Sequence, residues 1–196
     1  MTKYVLNSGG LKNHPDLTKK FFAEVFKGLG DAPRLLICCF AQPRENWEAK
    51  FSEDRNSPLF PVGTNPVLEL AFPDTFEDQI KKSQAIYIHG GDDHLIQYWL
   101  KKFDLPKIWE DKVVATNSGS SHALSSSFWT CDWRQSMNGM GILPIRFLAH
   151  FQSSYGNGDP RGPIDWGNAL KELSAYGDTS LPIHALKEGD YVVIEK

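Results

Sequence analysis

The strongest constraint in this sequence is an alternation. Short, continuously apolar segments take turns with longer segments whose apolar residues recur at helical spacing. The apolar segments are Tyr4-Val5-Leu6 and residues 34–40, 67–72, 85–88 and 112–117. Between the first two, residues 16–28 carry Leu17, Phe21, Phe22, Val25 and Phe26 close to a 3.6-residue period. Residues 43–55, 74–82 and 95–103 read as further helices, and residues 119–127 can form one after the fifth apolar segment. A strand that is apolar at every position needs cover on both faces. The pattern therefore predicts an α/β fold, a mainly parallel sheet with helices on both faces. A chain of 196 residues fits one domain spanning 1–196.

Beyond residue 128 the pattern is less regular. Residues 153–167 are rich in Gly, Pro, Asn and Asp, which predicts a surface loop. Residues 166–176 look helical. Residues 183–186 and 191–194 flank Lys187-Glu188-Gly189-Asp190, which predicts a C-terminal hairpin.

Charge and cysteine content narrow the function. The net charge is −3 and the Lys and Arg residues are dispersed, so no electrostatic footprint for nucleic acid is present. No apolar run has the length of a bilayer span, and the apolar start is too short for a signal peptide. Neither nucleic acid nor membrane is expected as a partner. The three cysteines, Cys38, Cys39 and Cys131, show no metal-binding spacing and suit a reducing cytoplasm. Cys38 and Cys39 lie within an apolar run and are expected to be buried. The sequence does not set the oligomeric state.

In an open α/β sheet, ligands bind beyond the carboxyl ends of the strands. Two such ends stand out: His89-Gly90-Gly91-Asp92-Asp93, and Thr116-Asn117-Ser118-Gly119-Ser120. A serine set between strand and helix can project its hydroxyl above the sheet, beside backbone N–H groups able to stabilise an oxyanion. Serine is also a favoured helix cap, and the turn alone leaves both readings open. His89, Asp92, Asp93 and His94 include metal-ligand types, but successive residues at a strand end point in different directions. Capping by Asp92 or Asp93 is simpler, and no metal or organic cofactor is expected.

The order of these segments, with Phe128-Trp129-Thr130-Cys131-Asp132, Gly141-Ile142-Leu143-Pro144 and Ala149-His150-Phe151 following, resembles peptidase family S51. That family includes dipeptidase E and the cyanophycinases, and its fold is like that of class I glutamine amidotransferases. The family elbow reads Gly-x-Ser-Ala-Gly. The resemblance implies that Ser118 is a nucleophile, His150 its base, and Gly91 and Gly119 the oxyanion-binding amides. Asp132, slightly preferred, or Glu188 in the terminal turn would orient the histidine. Arg146 and Arg161 are candidates for holding an acidic substrate group, because guanidinium pairs well with carboxylate. His122, one helical turn beyond Ser118, is a candidate pocket residue, and Trp129, Trp133, Phe151 and Tyr155 are candidate walls. The implied activity is a serine peptidase acting on short peptides, including those with amino-terminal Asp. Thr116 and Ser120 stand where the family has glycine. A catalytically silent binding protein, or an amidase or esterase for a non-peptide substrate, is the alternative.

Overall fold

The computed structural model describes residues 1–56, 60–61 and 63–196. Five strands, β1 (Lys3–Asn7), β2 (Arg34–Cys38), β3 (Val67–Leu70), β4 (Ala85–Ile88) and β5 (Val113–Asn117), pair in parallel in the order β1-β5-β4-β2-β3. Their apolar runs are continuous because both faces are covered. Tyr4, Val5 and Leu6, Leu35, Leu36 and Ile37, and Ile86 and Ile88 are all fully buried. Each such side chain contributes about 1.5–3 kcal/mol of transfer free energy.

The helices flank this sheet. α1 (Pro15–Phe26) starts with proline in its first turn, where no N–H partner is lost, and buries Phe21, Phe22, Val25 and Phe26. α2 (Trp47–Arg55) and α3 (Phe76–Lys82) follow β2 and β3. α4 (Asp93–Leu100) is capped by the Asp92 side chain, which accepts from the amides of His94 and Leu95. α5 (Gly119–Leu124) is shorter than its sequence pattern predicts, because the chain turns extended at Ser125.

A second sheet, less legible in the sequence, occupies the later half. It contains β6 (Ser127–Thr130), β7 (Gln135–Asn138), β8 (Arg146–Leu148) and β9 (Ile183–Ala185), in the order β7-β6-β8-β9. α6 (Trp166–Ala175) packs on it, burying Ala169 and Leu173. The last strand, β10 (Tyr191–Glu195), joins the first sheet antiparallel to β1.

The predicted C-terminal hairpin is therefore corrected. β9 pairs in parallel with β8, and β10 pairs with β1. The two segments find partners in different sheets, and Lys187-Glu188-Gly189 becomes a crossing between them. Ser8 ties this crossing down: its hydroxyl donates to Leu186 O at 2.7 Å and accepts from the amide of His150 at 2.7 Å. The register sets Asn7 opposite Asn117 and Ile88 opposite Thr116. The turns after β1, β4 and β5 thus gather at one end of the sheet, and β8 delivers His150 to the same place.

Candidate active site

Ser118 follows β5 directly and has φ 51° and ψ −115°. A non-glycine residue in that conformation stores about 1–3 kcal/mol of strain. Neighbouring backbone holds it there. The Ser118 amide donates to Asn7 O at 2.9 Å, and its carbonyl accepts from the amides of Ser121 and His122. The turn presents the hydroxyl to His150, with Ser118 Oγ 2.9 Å from Nε2. The other ring nitrogen, Nδ1, lies 2.8 Å from Glu188 Oε1. A carboxylate accepts from an N–H, so this contact puts the proton on Nδ1 and leaves the Nε2 lone pair facing the serine.

Burial pushes the His150 imidazole below its ordinary value, and the hydrogen bond and charge of Glu188 oppose that only in part. The ring is therefore neutral near neutral pH. Two glycines make room for this arrangement. A Cβ on Gly9 would sit 2.3 Å from His150 Cε1, and one on Gly10 would sit 2.7 Å from Glu188 Cβ. Tyr155 stacks on the open face of His150, with centroids 4.2 Å apart. Ser8, Gly9 and Gly10, in the turn after the first strand, are site residues that the sequence reasoning did not single out. The signal there was the glycine pair, which marks close backbone approach at a strand end.

Asp132 does not take the orienting position favoured for it. It lies on the surface past the carboxyl end of β6, and its Oδ1 accepts from the Tyr155 hydroxyl at 2.9 Å. Glu188 reaches His150 because the crossing from β9 to β10 passes beneath the ring.

The two positions that depart from the family glycines are absorbed into the turn. The Thr116 hydroxyl pairs with Ser121 Oγ at 2.8 Å. Ser120 Oγ donates to Ile88 O at 2.7 Å and accepts from the Asn117 amide at 2.8 Å. Ser121 Oγ donates to Asn7 O at 2.9 Å. All three are fully buried, so none competes with Ser118 as a nucleophile and none fills the pocket.

That pocket, of about 130 Å³, is lined by Ser118 and His150 together with Gly91, Gly119, His122 and Asp132 among others. Gly119 packs against Gly91, since a Cβ on Gly119 would meet Gly91 O at 2.5 Å. Among the described residues, neither glycine amide donates to another protein group. Gln42 fixes the Gly90-Gly91 turn by donating to Gly90 O at 2.6 Å. Cys131 also lines the pocket, but burial pushes its thiol well above the ordinary range and keeps it protonated. A larger cavity of about 350 Å³ adjoins through Gly90 and Asn117, with Lys12 and Lys50 on its wall.

The histidine and aspartate residues near β4 diverge. His89 pairs with buried Asp54, His94 packs on Trp133, and Asp93 pairs with His122. His122 lines the pocket. Its Nδ1 is 2.9 Å from Asp93 Oδ1, and its ring stacks on Phe128. Of the candidate walls, Tyr155 lines the pocket, Trp129 donates to Glu172, and Trp133 is exposed.

Arg146 is corrected. It is buried, and its guanidinium donates to the carbonyls of Leu173, Ser174, Thr179 and Leu181. It ties α6 and the approach to β9 onto β8 and has no donor left for a substrate. Arg146→Ala is expected to lower stability by about 3 kcal/mol, the loss of several bonds to one buried charge, read as a drop in the urea midpoint. An unchanged midpoint would contradict this role. Arg161 lies outside the pocket wall. It donates to Asp159 and, at 2.9 Å, to Asp132 O.

No protein-family model matches the sequence, and no curated protein matches it at significant similarity. Solved structures do resemble it. A peptidase from an acI-B1 Actinobacterium superposes with a TM-score of 0.66 at 19% identity, covering 99% of this chain and 83% of that one. A protein described as a peptidase E from Listeria monocytogenes EGD-e gives 0.64 at 13% identity, covering 99% and 94%. This chain has the α/β fold of those peptidases.

Proposed function

We propose that this protein is a serine hydrolase of short peptides, with Ser118 as nucleophile, His150 as base and Glu188 as the group that orients it. One observation carries the reading. An unbroken hydrogen-bonded chain runs from a strained strand-to-helix serine, through a neutral buried imidazole, to a carboxylate. The peptidases that share the fold support the same class of chemistry.

On this reading each group has its own step. Ser118 Oγ attacks the peptide carbonyl carbon as its proton passes to His150 Nε2. Glu188 stabilises the imidazolium through Nδ1–H. The carbonyl oxygen, now an oxyanion, lies against the amides of Gly91 and Gly119. Collapse of the tetrahedral species breaks the C–N bond, and His150 returns the proton to the departing amine. Water then attacks the acyl-serine by the same proton route and frees the acid. The three buried free thiols suit a reducing cytoplasm.

The base must be neutral to accept the serine proton, so activity rises as pH rises through the His150 value. Burial sets that value below the ordinary 6.5. The acid limb of kcat/KM on a short peptide anilide is therefore expected to have its midpoint below 6.5, with a plateau by neutrality. A limb centred well above 6.5, or no turnover of any short peptide by folded protein, would count against the proposal.

A further inference from the structure

Resting on the hydrolase reading, we infer that the cavity beside the Ser118 pocket holds the departing residue of the substrate and binds its free carboxylate. The preferred scissile bond then lies one residue from a carboxyl terminus. The two spaces meet at Gly90 and Asn117, which line both. The cavity is also bordered by Gly10. Gly9 and Gly10 are the residues that close against His150 and Glu188. His150 returns the proton to the departing amine, so the departing residue lies on this side. Small-ligand pockets span about 300–1,000 Å³. At about 350 Å³ the cavity is at the lower end of that range, room for one short residue rather than an extended chain.

The first observation is the chemistry of the wall. Lys12 and Lys50 line the cavity, and among the described residues no Asp or Glu does. The nearby carboxylates pair with wall residues without lining the space: Glu53 with both lysines, and Asp54 with His89. An ammonium has three N–H donors. Each lysine gives one to Glu53 and keeps others for a ligand.

The second observation is independent of the lysines. His89 lines the same cavity and is 5% exposed. Its Nε2 lies 2.5 Å from Asp54 Oδ2, and Tyr87 packs against its ring with centroids 4.6 Å apart. Nδ1 has no protein partner among the described residues and, unlike Nε2 of His122, is not sealed from the cavity. The Asp54 carboxylate favours the imidazolium, whose Nδ1–H donates to an incoming carboxylate. A buried polar atom left unmatched is costly, so that bond also relieves the protein. Donors from three separate segments, after β1, within α2 and after β4, thus border one space next to the nucleophile.

Two peptide pools test this: X-Ala dipeptides, with X each of the common amino acids, and the same pool as carboxyl-terminal amides. Release of alanine or alaninamide, read by mass spectrometry, is then independent of which acyl residue the Ser118 pocket prefers. Alanine release is expected to exceed alaninamide release by about tenfold in kcat/KM, the effect of a charge-assisted hydrogen bond. Lys12 is exposed and Lys50 partly so, so the double variant Lys12→Gln, Lys50→Gln is expected to fold. It should bring the ratio of acid to amide towards one, a change that a general loss of activity would not produce. Fluorophosphonate labelling of the same preparation keeps the two claims apart. A protein that labels but releases alaninamide as fast as alanine, cleaves neither pool, or keeps its ratio in the double variant overturns the inference and leaves the hydrolase standing. One that is folded and does not label overturns both.

Discussion

Ser118→Ala is expected to lower hydrolysis of short peptides by roughly a millionfold, because removing a nucleophile that acts as a unit with its base removes the whole covalent route. The loss should fall on turnover rather than on folding. Ser118 makes one side-chain contact, to His150, and its amide and carbonyl bonds do not depend on the hydroxyl. The backbone offers a further test. At φ 51° and ψ −115° the residue is strained, and glycine relieves that strain. Relief of about 1–3 kcal/mol exceeds the roughly 1 kcal/mol that glycine costs in chain entropy. Ser118→Gly should therefore be inactive yet more stable than Ser118→Ala by about 1 kcal/mol in urea, up to about 2 kcal/mol. The opposite order would mean that the turn is not held under strain.

Glu188→Gln is expected to cut turnover by about ten-thousandfold with the protein still folded. The amide is nearly the same size, but it cannot stabilise the imidazolium and no longer enforces the Nδ1–H tautomer. Glu188 also raises His150 against the larger effect of burial. Its loss should move the acid limb of the residual activity to still lower pH. A variant with near wild-type turnover would return the orienting role to another carboxylate.

These two residues show where the sequence was informative and where it was not. The five parallel strands and Ser118 were legible because their signals are local. Each strand is a continuous apolar run, and Ser118 sits where one such run meets a helix. Glu188 was visible as a competitor to Asp132, but its neighbourhood read as a hairpin turn. The partners of β9 and β10 lie in two sheets built from segments far away in the chain. That pairing, which no local period encodes, carries Glu188 under His150. The second sheet was missed for a related reason, since its strands span three or four residues, too short to show alternation. Arg146 looked like a substrate cation because its chemistry suits one. Burial among four carbonyls is a tertiary fact. The glycine substitutions at Thr116 and Ser120 suggested a damaged elbow. Their hydroxyls instead bond inside it: Ser120 donates to the distant Ile88 carbonyl of β4, and Thr116 pairs with Ser121, which itself donates to the Asn7 carbonyl of β1.

The claim that Ser118 is an activated nucleophile is met most directly by mapping a fluorophosphonate adduct. Folded wild-type protein should gain one adduct by intact mass, located on the peptide containing Ser118, and Ser118→Ala should gain none. No adduct on folded protein, or an adduct retained in Ser118→Ala at Ser120 or Ser121, would contradict the account.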